Sequence, residues 1–118
     1  MAGYFYLLAS RKHGTLYAGA TTDLPKRVWE HRAGVIPGFT QQYEVKRLVH
    51  FETYDDIADA IVRERRVKEW KRAWKIQLIE RENPHWDDLA VSVLGFDALP
   101  ISSHPGGSRE PGTLPSEE

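Results

Sequence analysis

The chain has 118 residues, 41% of them hydrophobic, and a formal net charge of −1. That length suits one domain with a small core, helped by four Trp, five Tyr and four Phe. With no Cys, disulfide frameworks and Cys-based zinc sites are excluded, and the near-neutral charge excludes a strongly basic nucleic-acid glue.

The charge is unevenly distributed. Residues 1–89 carry 15 Lys+Arg against 13 Asp+Glu, a net +2, whereas residues 90–118 carry one Arg against four acids, a net −3. Between positions 60 and 81 eight basic residues face three acids. Such a local basic patch is what phosphate recognition requires. The N-terminus has no basic start and too short an apolar run for a signal peptide. No later apolar stretch approaches membrane-spanning length. The expectation is a cytoplasmic protein.

In chain order, residues 4–9 (Tyr-Phe-Tyr-Leu-Leu-Ala) read as a strand, residues 10–15 as a turn containing Gly14, and residues 16–20 as a second strand completing a hairpin. Thr22-Asp23 is a helix-start signal with Pro25 in the first turn, and the helix runs to about Ala33 before Gly34. Leu24 and Val28 face the core; Arg27 and His31, also four apart, share another face. Residues 35–42 read as a loop and residues 47–52 as a third strand. Asp55 or Asp56 caps a long helix reaching about Arg72. Glu64 is a carboxylate on its mostly apolar stripe. Residues 74–81 read as further helix, Asn83-Pro84 as a stop, and residues 86–94 as a short closing helix. From about residue 97 onward Pro, Gly, Ser and acids dominate, which predicts a disordered tail over 97–118 behind a domain of 1–96.

Several residues carry the chemistry that phosphodiester cleavage requires. Tyr6 and Tyr17 lie on the two hairpin strands, and their hydroxyls could project to one sheet edge. A phenol titrates near 10 and needs a cation, metal or imidazole to act as a base; either tyrosine would serve equally as packing. Arg27 suits a two-pronged grip on phosphate oxygens, and His31 titrates near neutrality and could relay a proton. Glu64 could hold one Mg²⁺, which takes few protein carboxylates and keeps several waters; equally, it could pair with Lys68 at helical spacing. Asn83 could hydrogen-bond into the site or simply make an Asn-Pro turn.

Taken together these residues resemble the GIY-YIG nuclease domain. Tyr4-Phe5-Tyr6 matches the first half-motif and Tyr17-Ala18-Gly19 the second. The stretch from Leu16 through Arg27 and Glu30-His31, followed by Phe39-Thr40 with Tyr43, Lys46-Arg47-Leu48-Val49, Arg63-Glu64, Lys68-Glu69-Trp70 and Asn83-Pro84-His85-Trp86, resembles the small single-domain bacterial branch. That branch is similar to the catalytic domain of the nuclease that acts in nucleotide excision repair. The resemblance covers about residues 3–90. It implies an α/β (α+β) fold, with a small, mainly antiparallel three-stranded sheet flanked by helices. It also implies cleavage of DNA with one divalent metal, Mg²⁺ (or Mn²⁺), and leaves open whether that DNA is duplex, single-stranded, or branched or structured. By position, Tyr6 and Tyr17 are its motif tyrosines, Arg27 its catalytic arginine and Glu64 its metal-binding glutamate. His31 assists proton transfer, and Asn83 is a late supporting residue. The competing expectation is a binding module that keeps the fold without turnover. A third, weaker one is an interaction adaptor using the acidic tail.

Overall fold

The hairpin forms where aromatic and aliphatic residues flank a Gly-containing turn. In the computed structural model, which describes residues 1–36 and 38–98, β1 (Gly3–Ala9) pairs antiparallel with β2 (Leu16–Thr21). The turn is closed by Ser10 N–H donating to Thr15 O at 3.0 Å. β3 (Arg47–Tyr54) adds antiparallel to the other side of β1, giving the order β2-β1-β3. The expected three-stranded antiparallel sheet flanked by helices is what the chain forms.

Side chains alternate across this sheet. Phe5, Leu7, Ala18 and Val49 face a core completed by Val67, Leu78, Ile79 and Trp86. Tyr6, Leu8 and Leu48 face a second core with Leu24, Val28, Val45 and Ala90. The pairing slips between Leu7 and Leu8: Leu7 opposes His50, but Leu8 opposes Leu48. Val49 is therefore an extra residue, a β-bulge, and its carbonyl and the Leu48 N–H turn to side chains for partners. Asn83 Nδ2 donates to Val49 O at 3.0 Å, and Leu48 N donates to Asp88 Oδ1 at 3.2 Å.

The helices begin and end where the sequence signals. α1 (Leu24–Ala33) is capped by Asp23, whose carboxylate accepts from Lys26 N at 3.1 Å, and stops at Gly34 in the left-handed region (φ 73°). The segment 35–42, expected as a loop, contains a one-turn helix α2 (Phe39–Gln42), entered through Gly38 at φ 106°. α3 (Ile57–Lys68) is capped by Asp56. This long helix ends four residues earlier than expected. Trp70 turns back against the Arg63 guanidinium, 5.1 Å from its ring centroid, and the chain restarts as α4 (Arg72–Glu82). A short α5 (Leu89–Ser92) follows. The tail predicted over 97–118 lies almost wholly outside the described residues.

Candidate functional site

Tyr6 and Gly19 are direct cross-strand partners. A Cβ built on Gly19 would stand 2.5 Å from Tyr6 Cζ, so only glycine lets the phenol lie across β2. Tyr6 is thereby buried, and its hydroxyl meets His31 Nε2 at 3.1 Å. The imidazole is 2% exposed, and its Nδ1 lies 3.1 Å from Thr40 Oγ1 on α2. Tyr17, half-buried on β2, brings its ring to 6.4 Å from Tyr6 and 5.4 Å from His31, centroid to centroid. One strand pair and one helix face thus gather two phenols and an imidazole.

Electrostatics sort these groups. Burial, then the neighbouring Tyr17, pushes the Tyr6 hydroxyl above its ordinary value, while Arg27 pulls the other way. Burial and the Arg27 charge press His31 down to about 4, so its ring is neutral near pH 7. Arg27 sits one turn before His31 on α1 and pairs with Glu30 at 3.2 Å. That pair is partly exposed and holds the guanidinium only weakly.

Glu64 reaches the same strand edge from α3, which packs against β1 and β2. Its side chain is 17% exposed, and Lys68 Nζ lies 2.5 Å from Oε2. The Lys68 pairing expected from helical spacing is therefore formed, and Glu64 also counts among the charges felt by Tyr6. The neighbouring residue fixes the rotation of α3. Arg63 donates to Glu52 through Nε (3.0 Å) and Nη2 (3.1 Å). Glu52 also accepts from His50 Nε2 at 2.8 Å and Tyr54 OH at 2.6 Å. Burial alone would raise the Glu52 carboxyl, but these donors outweigh it and bring it to about 2.

Five of the six sequence-predicted residues, Tyr6, Tyr17, Arg27, His31 and Glu64, therefore gather at the β1–β2 edge. Asn83 does not join them. Its amide donates to Val49 O and Asp87 O, and its Oδ1 accepts from Asp87 N at 2.9 Å, so its bonds hold the bulge and the following loop. Sequence reasoning gave Thr40 no role of its own and missed the Glu52 network. The alternation His50-Glu52-Tyr54 on one strand face was the available signal for the network; for Thr40 it was the match of Phe39-Thr40 with Tyr43 to the resembled family.

Comparison with known proteins follows the same residues. A family model described as the GIY-YIG catalytic domain matches residues 2–77, which include the five gathered residues and exclude Asn83. A UPF0213 protein of Haloquadratum walsbyi is 42% identical over 66 residues, covering 56% of this chain and 74% of the relative. One from Syntrophus aciditrophicus is 37% identical over 82 residues, covering 69% and 92%. The solution NMR structure of a UPF0213 protein from Bacillus halodurans is 30% identical, covers 75% of this chain and 93% of its own, and aligns with a TM-score of 0.48. With the family model spanning well over half of its length, the chain belongs to the GIY-YIG catalytic domain family.

Proposed function

We propose that this protein is a divalent-metal-dependent endonuclease that hydrolyses phosphodiester bonds in DNA. The observation that carries the reading is the convergence of Tyr6, Tyr17, His31, Arg27 and Glu64 from four elements onto the edge of β2. A cytoplasmic location and a task in DNA repair accompany it.

The donor set fits a magnesium-type ion. Among the described residues no group of three or more His, Cys, Asp and Glu could cage a metal. Glu64 would be the protein ligand, with waters and substrate phosphate completing the shell, as Mg²⁺ prefers. When bound, the ion supplies charge stabilisation for the phosphoryl oxygens and the leaving oxygen. Lys68 has to release Glu64 for this, and it is free to swing because it is half-exposed.

The chain's own groups divide the remaining work. Tyr6 stays protonated and buried, so it orients His31 rather than meeting substrate. Tyr17, lining the open side, serves as the base once its O–H proton has passed to solvent: the phenolate oxygen then takes the proton of the attacking water. His31, neutral and with its two ring nitrogens hydrogen-bonded to Tyr6 and Thr40, packs beside the Tyr17 ring and holds it in position. Arg27 leaves its surface pairing with Glu30 to grip the non-bridging oxygens in two-pronged fashion. Asn83 acts as a structural brace.

The test is a cleavage assay on labelled duplex, single-stranded and branched DNA with Mg²⁺, Mn²⁺ or chelator, alongside Arg27→Ala and Glu64→Ala. The expected loss for each is on the order of 10²–10³-fold, the usual effect of removing a charge-stabilising group, with circular dichroism unchanged. Undiminished metal-dependent cutting by both variants would refute the assignment. The Lys68–Glu64 pair favours the competing reading, a nucleic-acid-binding module with negligible turnover. Salt-sensitive binding without cutting would establish that one.

A further inference from the structure

The cleavage cluster opens onto a groove that the proposed chemistry does not use. One cavity of about 220 Å³ touches Tyr17, Phe39, Lys68 and Lys75; a second, of about 360 Å³, touches Phe39, Tyr43, Arg72 and Lys75. They share Phe39 and Lys75, so they form one trough along β2, running from the candidate proton acceptor to the α2 aromatics.

Its lining is unusual for a protein surface. Phe39 is 47% and Tyr43 44% exposed, two large rings in the open. Their centroids are 4.8 Å apart, and Phe39 lies nearly parallel to Tyr17 (27°) at 6.5 Å. The result is a stepped aromatic surface leading away from Tyr17. The opposite wall is cationic. Arg72 and Lys75 contribute two positive charges, Lys68 at the Tyr17 end is paired with Glu64, and among the described residues that line the trough there is no carboxylate. Arg72 is anchored by Nη2, which donates to the His13 and Gly14 carbonyls at 2.7 and 2.6 Å. Lys75 is partly buried beside it, and burial together with the Arg72 charge lowers its pKa. Two neighbouring cations, one of them partly desolvated, attract an anion.

From these observations we infer that the trough binds an unpaired stretch of the substrate strand. Its bases stack on Phe39 and Tyr43, and its phosphates track Lys75 and Arg72, beside the bond positioned for cleavage. The inference rests on the nuclease reading and narrows it to DNA that is single-stranded next to the cut. A base inside a duplex has both faces covered by its neighbours and cannot offer one to a ring. Stacking therefore selects strands whose bases are already free. Because every base has a π-face, the site reads strandedness rather than sequence.

The test uses the full chain in chelator, which separates binding from cutting. Fluorescence anisotropy is measured with a labelled 12-mer oligodeoxynucleotide and with the same strand in duplex form, for the native protein, Phe39→Leu, Tyr43→Leu and Lys75→Gln. The single strand should bind at least tenfold tighter than the duplex. Phe39→Leu, which keeps an apolar side chain at an exposed position, should lose roughly tenfold for the single strand only, within the range of one lost stacking contact. Tyr43→Leu removes the second ring and should likewise weaken binding of the single strand only. Lys75→Gln should bind more weakly and with a shallower salt dependence. Equal affinity for both DNA forms, or an unchanged Phe39→Leu variant, overturns the inference. Metal-dependent cutting of duplex DNA without strand preference would leave the nuclease reading standing and remove this one. Tight single-strand binding with no cutting under any metal would support the trough and remove the nuclease.

Discussion

Gly19 offers the sharpest test of how the site is built. In Gly19→Ala the new methyl would stand 2.5 Å from Tyr6 Cζ and 2.9 Å from Cε1. Tyr6 is fully buried and cannot swing out, so either the ring shifts or the β1–β2 pairing opens. Overpacking of this kind costs about 1–3 kcal/mol. Displacing the Tyr6 hydroxyl from His31 Nε2 removes a buried hydrogen bond, about 1 kcal/mol more. The reduced entropy of the unfolded chain offsets about 0.4–1 kcal/mol. The net loss is roughly 1–3 kcal/mol, a fall in Tm of about 4–12 °C at about 4 °C per kcal/mol. Thermal unfolding by circular dichroism reads the fall. An NMR titration of the imidazole supplies the specific signature: His31, held at about 4 in the native protein, should move toward 6.5. Gly3→Ala is the control, because its Cβ would meet Ile57 Cα at 2.5 Å, away from the site. It should lower Tm and leave His31 alone. A Gly19→Ala protein with native Tm and an unmoved His31 would refute the claim that glycine is required for the phenol to cross β2.

Acid should destabilise the protein in two overlapping steps. His31 has a folded pKa of about 4 against 6.5 unfolded, so its contribution is present above 6.5 and is lost as pH falls from 6.5 to about 4. Glu52, at about 2 against 4.5, loses its contribution as pH falls from 4.5 toward 2. Each is worth on the order of 3 kcal/mol at about 1.4 kcal/mol per unit. Urea titrations at pH 7, 5 and 3 should show both steps; Glu52→Gln should erase the lower one, and a flat profile between pH 7 and 5 would contradict the His31 assignment. Asn83→Ala should cost about 2–3 kcal/mol, because the Val49 and Asp87 carbonyls and the Asp87 N–H lose their partner. Cleavage per folded molecule should stay native; a cleavage loss exceeding the folded-fraction loss would return Asn83 to the chemistry.

The elements with strong local signals were legible in the sequence. Asp23, Asp56 and Gly34 mark helix ends because capping is a contact between near neighbours, and the hairpin was readable from its aromatic strands and Gly-containing turn. The grouping of Tyr6, Tyr17, Arg27 and His31 was legible for a related reason: two strands and the helix that follows fix it within 31 residues. What escaped depends on distant partners. Thr40 meets His31 only because α2 folds over α1, and Glu52 meets Arg63 only because α3 crosses β3. The end of the long helix at Lys68 was missed because Trp70 packs against Arg63, a tertiary preference that helical propensity does not encode. Asn83 looked like a site residue or a turn, whereas its role is set by a bulge 34 positions away in the chain.

That bulge makes β3 tolerant of one particular change in length. Elsewhere in a paired strand, removing a residue inverts the facing of everything on one side of the cut. Removing Val49 would not, because Leu7 already opposes His50 and Leu8 already opposes Leu48. The two pairs would simply become adjacent, and Arg47 would stay opposite Ala9. The deletion would forfeit a core valine and the carbonyl that tethers Asn83, but not the strand's phase. Position 49 is therefore where β3 can lose one residue without inverting the facing of Glu52 or disturbing the pairing that places Tyr6.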